Sequence, residues 1–63
     1  MQNKKLYSGD GRYLGERVYQ DDRVRLYGHD GRYLGEYMKH SDMTYDATGR
    51  LVGYGDLLGT LLT

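Results

Sequence analysis

The chain has no cysteine, no proline, no phenylalanine and no tryptophan, and its 63 residues carry no net charge. Without cysteine, no disulfide or thiolate metal site staples the domain. Such a short chain lies at the small end of what folds unaided. A balanced charge points neither to a nucleic-acid tail nor to a membrane anchor. No apolar run approaches the ~20 residues that span a bilayer. Two lysines near the start are followed by no apolar stretch, so no signal peptide is expected. These absences together suggest a soluble, cytoplasmic, single-domain protein over 1–63 that does not enter membranes. The lack of proline also leaves every backbone N–H free for a β-ladder.

What is present is tyrosine and glycine, eight and ten residues respectively, arranged in a recurring pattern. Residues 6–17 read LYSGDGRYLGER, 26–37 read LYGHDGRYLGEY and 44–55 read TYDATGRLVGYG. Each unit has an apolar residue and Tyr, a turn ending in Gly, then Arg, two apolar residues and Gly. Recurrence at this length suggests one supersecondary element copied along the chain. Short tyrosine- and leucine-rich segments around a Gly/Asp-rich turn make that element a β-hairpin. Ser8, Gly28 and Asp46 stand three places before Gly11, Gly31 and Gly49, the spacing of a type I turn with glycine in fourth place. A left-handed glycine there produces a three-residue loop with a bulge. The expected fold is all-β: an antiparallel meander of three hairpins, about six strands, as an open sheet or a small barrel.

Three-residue loops set Tyr7 against Tyr13, Tyr27 against Tyr33 and Tyr45 against Leu51. Strict alternation from there pairs Leu6 with Leu14, Leu26 with Leu34 and Thr44 with Val52. It sorts the chain onto two faces. One carries Leu6, Leu14, Val18, Val24, Leu26, Leu34, Met38 and Val52, edged by Arg12, Glu16, Arg32 and Glu36. The other carries Tyr7, Tyr13, Tyr19, Tyr27, Tyr33, Tyr37, Tyr45 and Leu51, together with Lys5, Arg17, Arg23, Arg25 and Lys39. Gly15 and Gly35 fall on the tyrosine face, where a ring can cover bare backbone. This register sets Arg17 opposite Arg25, which like charges disfavour. A counter-ion, an acidic partner or a locally different register must resolve that clash.

Loops are expected at Gln20–Asp22 and Lys39–Ser41, bringing Val18 beside Val24 and Tyr37 beside Met43, and Met1–Asn3 should be loose. The C-terminal segment, 56–63, breaks the pattern. Leu57, Leu58, Leu61 and Leu62 are spaced for one helical face with Asp56 as N-cap, a last strand being the alternative. These leucines require burial, against the aliphatic face or against another chain. A lone sheet with two apolar faces lacks a second layer, so a homo-oligomer is expected, with these four leucines at its interface.

The segment Tyr45-Asp46-Ala47-Thr48-Gly49-Arg50-Leu51 resembles the YD repeat: Tyr-Asp, two variable residues, then Gly-Arg-Leu. Residues 27–33 and 7–13 are similar, lacking the Asp after Tyr. The resemblance implies tandem β-hairpins of the kind that, in that family, build β-sheet shells around toxins or extracellular cargo. MORN-like repeats, hairpins punctuated by glycine, are a second likeness. Neither family implies catalytic residues.

The candidate chemistry is correspondingly plain. His29-Asp30 and His40-Ser41-Asp42 could hold a general base, but no nucleophile or pocket is implied, and turn chemistry explains them. The scattered aspartates lack the spacing of a calcium loop, and Gly53-Tyr54-Gly55 lacks the βαβ setting of a dinucleotide site. The expectation is a non-enzyme without cofactor or metal. Its binding surface would be the tyrosine face, through Tyr7, Tyr13, Arg17, Arg23, Arg25, Tyr27, Tyr33 and Tyr37. Two readings of that face compete: a protein-binding and assembly surface, or a single-stranded nucleic-acid platform on which rings stack bases and cations follow phosphates.

Overall fold

Each tyrosine- and leucine-rich pair of segments closes around its Gly/Asp turn. In the computed structural model, which describes residues 2–62, this makes six strands. They are β1 (Asn3–Tyr7), β2 (Tyr13–Tyr19), β3 (Arg23–Gly28), β4 (Tyr33–Met38), β5 (Met43–Asp46) and β6 (Leu51–Tyr54), followed by a 3-10 helix at Leu58–Leu62. The strands pair in chain order in one antiparallel sheet. Strands β1 and β6 do not meet, so the meander is open. Asn3 opens β1 and the Gln2 carbonyl accepts from the Tyr19 N–H, so the start of the chain is ordered from Gln2 onward. Met1 and Thr63 lie outside the described residues.

The three hairpins close in the same way. At the tips, Gly11, Gly31 and Gly49 donate to Ser8, Gly28 and Asp46, and the latter three donate to Arg12, Arg32 and Arg50. Gly31 and its two counterparts have φ between 84° and 88°, the left-handed geometry that glycine adopts without penalty. At the bases, Tyr19 N–H donates to Gln2, Lys39 to Asp22 and Gly55 to Asp42. Side-chain oxygens of Asp10, Asp30 and Asp46 accept from the backbone N–H of Arg12, Arg32 and Arg50, and Asp10 and Asp46 also accept from the Ser8 and Thr48 hydroxyls. The hydroxyl bonds first and the backbone bonds next hold Asp10 and Asp46 below their ordinary pKa, and the Arg32 N–H does so for Asp30.

Beyond the tyrosine pairs the register departs from strict alternation. Tyr7 faces Tyr13, but Leu6 faces Gly15; Tyr27 faces Tyr33, but Leu26 faces Gly35; Tyr45 faces Leu51, but Thr44 faces Gly53. Leu14, Leu34 and Val52 are therefore extra residues at bulges, and each bulge reverses the faces of the strand beyond it. Tyr19, Tyr37 and Arg17 cross to the leucine side, while Glu16, Val18, Glu36 and Met38 cross to the tyrosine side. The slip removes the expected Arg17–Arg25 clash: Arg17 faces Leu26, and Arg25 faces Val18 and Glu36. It also pairs Val24 with Tyr19 and Met43 with Met38, in place of the expected Val18–Val24 and Tyr37–Met43 groupings.

The core lies on the leucine side, where Val24, Leu26 and Leu58 are buried and Leu6, Tyr19, Leu34, Tyr37, Leu61 and Leu62 pack around them. The C-terminal segment crosses this side as a strap, held over flat backbone. A Cβ on Gly53 would come 2.6 Å from Leu57, one on Gly35 2.7 Å from Leu61, and one on Gly15 3.3 Å from Leu62. Leucines, rather than tyrosine rings, thus cover Gly15 and Gly35. Buried Thr44 ties the strap down: its hydroxyl donates to the Gly55 carbonyl at 2.6 Å and accepts from the Leu57 N–H at 3.0 Å. Asp56 accepts from the Leu58 N–H and holds Arg17 through Nη1 at 2.8 Å and Nη2 at 3.3 Å. Burial would raise the Asp56 pKa, but the Arg17 bond and the Leu58 N–H outweigh it and leave the carboxyl below its ordinary value.

Candidate binding face

The strap covers one side of the sheet and leaves the other bare. On the bare side, Tyr7 and Tyr13 form one ring pair and Tyr27 and Tyr33 another, each with centroids 5.7 Å apart and planes tilted by 55°. The tilt is the edge-toward-face arrangement that aromatic quadrupoles prefer. Tyr45 with Leu51 continues the row across the third hairpin. These residues flank the hairpin turns at one end of the sheet, and each pair is stepped along the strands from the one before, because Tyr27 faces Glu16 and Tyr45 faces Glu36 across the joints between hairpins.

Charges on this side come in opposite pairs. Lys5 faces Glu16 and Arg25 faces Glu36 across their hairpins. Arg23 Nη1 donates to Glu36 at 3.3 and 3.4 Å, and its other nitrogens reach Asp22 at 3.2 Å. Arg25 Nε lies 3.5 Å from Glu36 Oε1 without hydrogen-bond alignment. Glu36 sits under Tyr33, whose phenol is pushed above its ordinary pKa by burial first and by the Glu36 charge next. In the third hairpin the charge pair is replaced by apolar groups: Met43 faces Tyr54 on one side and Met38 on the other, and the Tyr45 hydroxyl reaches Met43 Sδ at 3.3 Å. A shallow groove of about 390 Å³ lies here between Tyr33, Glu36, Met38 and Tyr45. The face therefore grades from mixed charge at β1–β4 to apolar at β5–β6.

Of the residues expected to form the binding surface, Tyr7, Tyr13, Tyr27, Tyr33, Arg23 and Arg25 share this face. Arg17 and Tyr37 do not. Arg17 is bonded to Asp56 beside the strap, and Tyr37 packs on the core while its hydroxyl donates to Asp42 at 2.7 Å. That bond, and then burial, raise the Tyr37 pKa. Lys39 lies in the β4–β5 turn and donates to the Gln20 carbonyl at 2.9 Å. Leu58 is buried in its own chain, and Leu57, Leu61 and Leu62 are half-buried against the same sheet. Strict alternation missed Glu16, Glu36 and Met38 on the open side. The available signal was the glycine after each apolar pair, because a lone glycine within a strand often marks a bulge.

His29 and His40 are exposed in turns, and among the described residues no group of His, Asp and Glu gathers to share a metal ion. No helix among the described residues is long and apolar enough to cross a membrane. No protein-family model matches the chain, and no curated protein and no solved structure matches it.

Proposed function

We propose that this protein is a non-catalytic binding and assembly module that associates with copies of itself and engages a protein partner through the tyrosine row. The observation carrying this reading is the uncovered row of rings among cations already matched by carboxylates. Rings that are apolar in body and polar at the tip suit a protein surface. A face whose arginines are held by Glu36 and Asp22 has little positive charge left for a phosphate chain, which weakens the nucleic-acid alternative, since strand binding draws on unpaired cations. Uncovered apolar area at Met38, Met43 and Tyr45 adds adaptable contact surface. The likeness to YD repeats is consistent with such a structural role.

The test is selection of a displayed random-peptide library on the immobilised protein, with counter-selection on the Tyr27→Ser/Tyr33→Ser variant. Peptides that bind the native chain and lose at least ~10-fold in affinity for the variant support the reading. A parallel titration with a fluorescent oligothymidine should show no binding at low salt. Oligonucleotide binding that weakens with salt and requires Tyr33 would replace this proposal with the stacking-platform alternative.

A further inference from the structure

The two edges of the open sheet are not alike, and they match one another. In an antiparallel ladder, residues alternate between bonding inward and turning their N–H and C=O to the other side. The Tyr19-to-Gln2 bond fixes this phase in the first hairpin, so Asn3, Lys5 and Tyr7 present their backbone groups to the free edge of β1. The Gly55-to-Asp42 bond fixes it in the third, so Tyr54 presents its groups to the free edge of β6. The same two edges meet twice inside the molecule. At the β2–β3 joint Glu16 faces Tyr27 and Gly15 faces Gly28; at the β4–β5 joint Glu36 faces Tyr45 and Gly35 faces Asp46. By position in the hairpin, Tyr54 corresponds to Glu16 and Glu36, and Tyr7 corresponds to Tyr27 and Tyr45.

We propose that β6 of one copy pairs antiparallel with β1 of the next in this same register, setting Tyr54 opposite Tyr7 and Gly53 opposite Ser8. This rests on the self-association in the reading above and assigns the surface that performs it. Three observations converge on the joint. Tyr54 and Tyr7 are the most exposed large apolar side chains of the described residues, at 69% and 58%, and the joint covers both. Their outward backbone groups fall in phase and exchange two hydrogen bonds, as at the internal joints. Both rings lie on the tyrosine side, so Tyr54 stands beside Tyr7 of the next copy as Glu16 stands beside Tyr27 and Glu36 beside Tyr45.

Charge selects this pairing over its competitors. Lys4 and Lys5 on β1 would meet their own kind in a β1–β1 contact, and like charges across strands repel. Strand β6 carries no charged residue, and the register brings Lys5 of the next copy toward the Asp56 end of β6. Because the two edges differ, the contact is head-to-tail and does not close by two-fold symmetry. It is also short, since β6 ends at Tyr54 and the chain turns away onto the core. Association should accordingly be weak, in the class of transient interfaces below ~1,200 Å².

Sedimentation of the full chain across the micromolar to millimolar range tests the proposal. Each edge is blocked by one exposed substitution, Tyr54→Lys or Tyr7→Lys, with folding checked by circular dichroism. The native chain should show an average mass that rises with concentration past the dimer. Each variant alone should associate at least ~10-fold more weakly, because its one intact edge finds no complement. An equimolar mixture of the two should recover association and stop at a dimer, since only one complementary pair of edges remains. A native chain that stays monomeric at millimolar concentration overturns the proposal. So does association that persists in either variant, as contact through Leu57, Leu61 and Leu62 would give, or a mixture that fails to dimerise. None of these outcomes bears on peptide binding by Tyr27 and Tyr33, which lie inside the sheet and away from both edges.

Discussion

Replacing Gly35 by alanine tests the strap and the bulge together. Its added methyl would lie 2.7 Å from Leu61 Cδ1, 3.2 Å from Asp46 Cα and closer still to the Tyr45 carbonyl oxygen. The leucine can swing aside, but the backbone cannot move without opening the β4–β5 ladder. Overpacking of this kind costs about 1–3 kcal/mol, and the unfavourable backbone angle adds about 1–3 kcal/mol. A chain this long has a total stability of about 3–9 kcal/mol, so Gly35→Ala should leave the protein near the edge of folding. Two controls separate the causes. Gly9→Ala meets nothing within 4 Å and has no unusual backbone angle, so its cost should stay within about 0.5 kcal/mol. Gly31→Ala also meets nothing but has φ +84°, and should lose about 1–2 kcal/mol from backbone geometry alone. Urea and thermal melts followed by circular dichroism read the series directly, with about 4–8 °C of midpoint per kcal/mol expected for a domain of this size. Adding Leu61→Ala to Gly35→Ala should restore little, because the carbonyl clash remains. A Gly35→Ala midpoint no lower than that of Gly31→Ala would refute the close approach, and with it the account of how the leucines cover the sheet.

Thr44→Val keeps the shape of the buried side chain but removes both bonds to the strap, leaving the Leu57 N–H and Gly55 carbonyl short of a partner. A loss of about 1–3 kcal/mol is expected, together with faster hydrogen exchange at Leu57 and Leu58 than at the β3–β4 ladder. The Asp56–Arg17 pair sets a pH dependence of definite sign. The Asp56 carboxyl has a lowered pKa in the folded chain, so its stabilisation is present above the unfolded value of about 3.9 and fades as pH falls through the folded value. Asp56→Asn should therefore melt lower than the native chain near neutrality, and the gap should narrow on acidification. A gap that widened as the pH dropped would contradict the pairing. The lowered carboxyls of Asp10, Asp30 and Asp46 act in the same direction, which is why the difference between the two chains, rather than the native profile alone, is the measurement.

The turn chemistry was legible because it is local. Ser8, Asp46, Gly11, Gly31 and Gly49 dictate their hairpin loops through their own side chains and backbone freedom, whatever surrounds them. From those loops the opposed tyrosine pairs and the chain-order meander follow, and Tyr33 and Leu34 indeed point to opposite sides of the sheet. The faces beyond each pair were not legible from alternation, since one added residue at Leu14, Leu34 or Val52 reverses everything after it.

What the sequence by itself determined, then, is the number of hairpins, their loops, and the tyrosine row beside them. Each depends on interactions spanning a few residues. Only the tertiary structure decided where Arg17, Tyr37, Glu36 and Met38 point. That outcome depends on contacts between distant parts of the chain: the leucine strap needs a side of the sheet with Gly15, Gly35 and Gly53 as its floor, and the bulges are what turn those glycines toward it. The same slip that makes room for Leu61 and Leu62 carries Glu36 to the far side, beneath the tyrosines and within reach of Arg23 and Arg25.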